Sequence, residues 1–113
     1  MVYIQEAHPI DAWQDEDNET DKVQVASAKT ADERCAVAGT CLTKLSIKIP
    51  AVIDDLRNST EDSYTAWPDR LFVVGQDGRI AYKSTPGPYG FKPDRVAETL
   101  KRILPSSPVA AAR

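Results

Sequence analysis

Glu6 and His8 stand two residues apart just ahead of Pro9, and they are the pair in this chain best suited to moving a proton. His8 is the only histidine among 113 residues. An imidazole gains and loses a proton near neutral pH, which suits it to general acid–base work. A carboxylate beside it can fix which ring nitrogen holds the proton; Glu6 and Asp11 are both near enough in sequence, and spacing does not choose between them. Trp13 closes the stretch. Trp13 and Trp67 could wall a pocket for an aromatic ligand, but tryptophan more often fills core, and core is the expectation for both. What delivers these groups is the β-branched and aromatic run at residues 2–4, which reads as a buried strand. In open α/β sheets the carboxyl end of a strand is where ligands bind.

The second candidate chemistry is thiol chemistry. Cys35 and Cys41 are too few for a secreted disulfide scaffold, and their spacing matches neither a C-x-x-C nor a zinc pattern. Thr30-Ala-Asp-Glu33 is a capping box that opens a helix, along which Ala31, Cys35, Ala38, Cys41, Leu42 and Leu45 form one apolar stripe. On a continuous helix the two cysteines lie about 9 Å apart along the axis, too far for a bridge, unless Gly39 ends the helix early. Buried, unpaired thiols are the expectation. With one histidine, a metal site is not expected.

Composition bounds the rest. Apolar residues make up 42% and charged residues 27%, a globular balance for one ordinary domain. A net charge of −3 gives no pull toward nucleic acid or an anionic membrane. No apolar run reaches the roughly 20 residues of a transmembrane helix, and no signal peptide is seen, so a soluble, cytoplasmic segment is expected.

The acidic stretch at residues 14–22 reads as an exposed loop, because its match to a calcium loop fails at Thr20 and Ala26. A short strand is expected at residues 49–53. Residues 58–67, with a cap in Ser59-Thr-Glu-Asp62, suggest a two-turn helix. Leu71-Phe-Val-Val74, Gln76-Asp-Gly78 and Arg79-Ile-Ala-Tyr82 form the clearest local signal, a hairpin around Asp-Gly. After the turn-rich Thr85-Pro-Gly-Pro-Tyr-Gly90, where Tyr89 and Phe91 suit either rim packing or ligand contact, Pro93 starts a last helix. Val96, Ala97, Leu100, Ile103 and Leu104 share its apolar face. A partial domain at 1–104 and a frayed, disordered tail at 105–113 complete the reading.

Tyr3-Ile-Gln-Glu-Ala-His-Pro-Ile-Asp-Ala-Trp13 resembles the Tyr-Ile-x-Glu-Ala-His-x-x-Asp-Gly-Trp motif of the iodothyronine deiodinase family. Pro50-Ala-Val-Ile-Asp-Asp55, Trp67-Pro-Asp-Arg-Leu-Phe-Val-Val74 and Pro86-Gly-Pro-Tyr-Gly-Phe91 extend the resemblance over nearly the whole chain. It implies an α/β, thioredoxin-like mixed sheet of the peroxiredoxin and deiodinase branch with flanking helices. It also implies that the central N-terminal strand, and the turn after it bearing a reactive cysteine or selenocysteine, are missing. His8 and Glu6 would then be supporting catalytic residues that bind and polarise substrate and supply protons. Asp11, Trp13 and Pro68 would contact substrate, Pro68 standing where thioredoxin-like proteins keep a cis-proline. Ala12 departs from the motif's glycine, and Ser27-Ala-Lys-Thr30 lacks the second histidine of the animal enzymes.

The reading that follows is the C-terminal part of a deiodinase-like oxidoreductase acting on a small aromatic halide, inactive alone for want of its nucleophile. No cofactor is implied beyond an external thiol reductant. A selenocysteine codon read as a stop would restart a gene product near this strand; a deliberately shortened chain and a natural protein without the turn are the rival explanations. Two half-sheets left without a central strand should close through a homodimer, a strand-swapped oligomer or direct pairing of the half-sheets, or else leave a poorly stable monomer. The competing functions are a thiol peroxidase or disulfide reductase fragment acting on peroxide, and a non-catalytic thioredoxin-like binding module that offers the His8 and Trp13 edge to a partner.

Overall fold

The computed structural model describes residues 1–20, 22 and 24–105. Its elements run β1 (Val2–Tyr3), α1 (Glu16–Thr20), α2 (Ala31–Lys44), β2 (Val52–Ile53), α3 (Ser59–Tyr64), β3 (Phe72–Val74), β4 (Ile80–Lys83) and α4 (Pro93–Ile103). The architecture is mixed α/β with small sheets and flanking helices. Among the described residues the strands form two separate two-stranded sheets, β1 with β2 and β3 with β4. The chain divides into two compact units at Pro68 and Asp69.

In the first unit β1 and β2 pair in parallel, Val2 opposite Val52 and Tyr3 opposite Ile53. The Val52 N–H reaches the Met1 carbonyl at 3.0 Å and the Asp54 N–H reaches the Tyr3 carbonyl at 2.9 Å. Both strands are shorter than their β-branched runs suggest, and β1 is not buried as expected: Val2 is exposed and Tyr3 half-buried. The acidic stretch also differs from expectation, because Glu16–Thr20 is a short exposed helix. Asp15 explains it: its carboxylate accepts the Asp17 N–H at 2.9 Å, the bond that opens a first turn.

Helix α2 starts where the capping box places it. The Thr30 hydroxyl accepts the Glu33 N–H at 3.1 Å, and the Glu33 carboxylate returns to the Lys29 N–H at 2.7 Å. The helix continues through Gly39 to Lys44, and both cysteines are free. Its buried face is rotated from the expected stripe. Ala38 is 1% exposed as expected, but Ala31 and Cys35 are exposed, Leu45 is 66% exposed, and Arg34 is buried at 6%. The reason is that Arg34 has oxygen partners deep in the unit. It donates from Nη1 to the carbonyls of Asp54 (3.3 Å) and Asp55 (2.5 Å) and from Nη2 to Asn58 Oδ1 (3.0 Å). A pattern that counts only apolar residues is blind to a buried cation satisfied by carbonyls.

Those carbonyls close a polar core. The Asp54 carboxylate accepts the N–H groups of Asp55 (3.0 Å), Thr60 (3.0 Å) and Glu61 (2.9 Å), and Asp55 accepts the Ser59 N–H (3.1 Å) and hydroxyl (2.7 Å). Two aspartates therefore cap α3, which runs only from Ser59 to Tyr64, and the expected cap within 59–62 is not the one used. Asn58, at φ 59°, makes no side-chain cap bond itself. Burial pushes the Asp54 carboxyl up, but the three N–H bonds outweigh it and hold the group below its ordinary value. The Ser59 bonds likewise lower Asp55.

In the second unit the hairpin is where Asp-Gly puts it. Phe72 pairs with Lys83, Val73 with Tyr82 and Val74 with Ile80, with an irregularity between Val73 and Val74. Gly78 turns the chain at φ +79°, a left-handed angle that favours glycine. Helix α4 packs on both strands. Its inward face is Thr99, buried, with half-buried Val96 and Ile103; Ala97, Leu100 and Leu104 of the expected face are exposed. Thr99 can be buried because its hydroxyl donates to the Arg95 carbonyl at 2.8 Å. The expected tail lies, from residue 106 on, outside the described residues.

Gly90 is buried in the 85–90 turn, and a Cβ there would collide with the Thr85 backbone carbonyl. Backbone cannot step aside as a side-chain tip can. Gly90→Ala is expected to cost about 2 kcal/mol in urea unfolding; a midpoint equal to the parent's would show that the turn relaxes freely.

Candidate functional site

His8 and Glu6 leave β1 in different company. The His8 Nδ1 lies 3.2 Å from the Trp13 carbonyl, and its ring meets the Trp13 ring edge to face, with centroids 4.6 Å apart. A carbonyl only accepts, so Nδ1 holds a hydrogen and Nε2 is the nitrogen left for other partners. Nε2 is 4.0 Å from the Asp15 carboxylate. The carboxylate near His8 is therefore Asp15, and neither Glu6 nor Asp11 takes that place. Chain geometry explains it: a turn from Pro9 to Ala12, closed by the Ala12 N–H on the Pro9 carbonyl (3.1 Å), folds residues 13–15 back toward the imidazole.

Trp13 is 75% exposed and Trp67 is also exposed, so neither fills core. Trp13 is held by His8 instead, which leaves much of a large aromatic surface bare.

Asp11 turns toward residue 27. Its carboxylate accepts the Ser27 N–H at 2.8 Å and the Ser27 hydroxyl at 3.0 Å. The backbone bond from Ser27 is the main cause that lowers its pKa. Together with the Ile10 N–H on the Val25 carbonyl (2.9 Å), this ties the His8 to Trp13 turn to the segment ahead of α2.

Glu6 faces inward. It accepts the Tyr3 hydroxyl, and it lines a cleft of about 150 Å³ with Gln5, Ser27, Arg34 and Asn58 among its walls. Burial raises the Glu6 pKa, and the Arg34 guanidinium opposes that rise. Asp11 thus serves the cleft by holding Ser27. Pro68 is half-buried and follows a cis peptide bond, and none of these contacts reaches it. Tyr89 is 91% exposed, and Phe91 is exposed too. Among the described residues, no three His, Cys, Asp or Glu side chains gather as metal ligands.

Three participants were not singled out from sequence. Asp15 belongs to a run that reads as solvated loop, Arg34 falls outside the apolar stripe, and Asn58 marks only the edge of an expected helix. The legible hint for Arg34 was its place four residues before Ala38, one helical turn, on the face that does become buried.

Cys41 is half-buried beside this site. Burial raises its thiol pKa and the Glu6 carboxylate raises it further, whereas Cys35 is exposed. Iodoacetamide at neutral pH is expected to label Cys35 first, read by mass spectrometry; faster labelling of Cys41 would mean an activated thiol beside Glu6.

A histidine a few residues beyond a strand, with an exposed aromatic against it and an acid in a polar cleft, defines an α/β protein with one chemically equipped corner. The comparisons with known proteins narrow that class. The family model described as iodothyronine deiodinase matches residues 1–104, and the chain belongs to that family. It is 32% identical over 102 residues to type I iodothyronine deiodinase of Xenopus laevis, covering 90% of this chain and 38% of that protein. It is 32% identical over 92 residues to thyroxine 5-deiodinase of Sparus aurata (81% and 33%) and 29% identical over 102 residues to that of Bos taurus (90% and 32%). The chain spans about a third of the length of these relatives. No helix among the described residues is long and apolar enough to cross a membrane.

Proposed function

We propose that this chain supplies the proton-handling part of a thioredoxin-like oxidoreductase that reductively removes iodide from an iodothyronine-like aryl halide. The carrying observation is His8, fixed through Nδ1 by the Trp13 carbonyl with Nε2 left for proton exchange, in a chain of the deiodinase family. In such a reaction a carbon–iodine bond is replaced by carbon–hydrogen. Iodide leaves, a thiol reductant supplies two electrons, and His8 Nε2 delivers the proton. Trp13 offers a face on which an aromatic ring can stack. Glu6 orients the substrate from the cleft side, and Asp11 holds that wall through Ser27.

The nucleophile, a selenocysteine or cysteine, comes from outside residues 1–113 on this reading. Its support is the state of the two thiols at hand: Cys41 is disfavoured as a thiolate, and Cys35 sits exposed on α2. Two-stranded sheets are marginal alone, which supports completion of each by a further strand, from a second copy or from adjoining sequence.

Iodide release from thyroxine with dithiothreitol tests this, comparing residues 1–113 with the product of the whole genomic reading frame. Release by the longer protein only is the expected result. Release by residues 1–113 alone would return catalysis to Cys35 or Cys41. Peroxide consumption without iodide release would replace deiodination with a peroxidase.

A further inference from the structure

The cleft beside Glu6 is rich in hydrogen-bond donors that nothing in the fold uses. Arg34 has five N–H groups, and three are engaged by the Asp54 and Asp55 carbonyls and the Asn58 amide oxygen. Because Asn58 Oδ1 faces Arg34, its Nδ2 faces away, and it has no acceptor among the described residues. Gln5 Nε2 spends one hydrogen on Glu61 Oε1 at 2.7 Å and keeps another. Among the lining residues the one acid is Glu6, already engaged by the Tyr3 hydroxyl, while Glu61 stands behind Gln5. Arg34 is 6% exposed, so its charge acts in surroundings that screen it poorly.

We propose that this cleft binds the carboxylate of the substrate, with Arg34 and Asn58 as its donors. The proposal rests on the deiodinase-like reading for the aromatic remainder of the ligand and specifies which end enters. A space of about 150 Å³ takes roughly a benzene ring, so a ring carrying two iodines would overfill this partly open cleft. A carboxylate with its α-carbon fits. The planar fork of a guanidinium matches a carboxylate better than it matches an iodide or a bare ring.

The test is a binding titration of residues 1–113, followed by saturation-transfer NMR, with four probes: tyrosine, tyramine, 3,5-diiodotyrosine and 3,5-diiodotyramine. Within each pair only the carboxylate differs, and between the pairs only iodine. A preference for the carboxylated probe on the order of tenfold in both pairs is expected from charge-assisted hydrogen bonds. Asn58→Gly keeps the backbone at its positive φ and removes the amide, and it should reduce that preference severalfold. Glu6→Gln should increase it. Equal binding of acid and amine in both pairs would overturn the carboxylate site, whatever iodine does. A carboxylate preference without any iodine preference would support the cleft while counting against the aryl halide reading. Displacement by an equal concentration of inorganic phosphate would also overturn the proposal, because it would define a general anion site.

Discussion

Replacing Asp54 by alanine is expected to lower the stability of the first unit by about 3 kcal/mol. The carboxylate is 5% exposed and takes three backbone N–H groups, two of them from the first turn of α3. Alanine leaves one buried and two part-buried donors without this acceptor, and the loss of charge at a helix N-terminus adds to the cost. Little apolar packing stands in reserve, because among the described residues of this unit only Ala38 and Pro9 are buried apolar side chains. An asparagine in place of the aspartate would keep one acceptor oxygen and turn a donor toward the other N–H groups, so Asp54→Asn should fall between parent and alanine. Urea unfolding followed by circular dichroism measures the series. A midpoint for Asp54→Ala equal to the parent's would show that the polar core contributes nothing.

The same aspartate dictates a pH dependence. Its folded pKa lies below the ordinary value of 3.8, so the unfolded chain binds the proton first as pH falls. The stabilisation is therefore complete above the unfolded value and drains away as pH drops through the lower folded one. Asp55 acts in the same sense. Glu6 acts oppositely: its raised pKa makes its contribution shrink as pH climbs past its ordinary value of 4.5. Removing Asp54 should flatten the loss of stability below pH 4, and an unchanged slope there would assign acid unfolding to other carboxylates.

His8→Asn is the second large effect, and it falls on chemistry instead of stability. The asparagine amide can still donate to the Trp13 carbonyl as Nδ1 does, but nothing remains in the position of Nε2. In the product of the whole reading frame, kcat for iodide release is expected to fall by about 100-fold or more, with the unfolding midpoint nearly unchanged. The pH profile of kcat should also lose the limb that reports an imidazole. A variant with full kcat would remove His8 from the proton path and leave it as a turn residue that holds Trp13.

Local signals were legible in the sequence because neighbours in the chain encode them. The Thr30 and Glu33 capping box, the Asp-Gly hairpin turn and the proline that opens α4 all occur as read, and the Glu-Ala-His stretch with the later motifs was enough to place the chain in its family. Tertiary structure decided which carboxylate meets His8, since a turn at 9–12 returns Asp15 and sends Asp11 to Ser27. It also decided that Arg34 is interior. Its partners lie 20 to 24 residues away, and the packing of β2 on α2 brings them together. Hydrophobic periodicity reports which side chains avoid water, whereas the centre of this unit is made of charged groups whose burial depends on distant backbone. A buried arginine or aspartate is stable only when its acceptors and donors are already in place, and that condition is set by the closed chain and by no local run of residues.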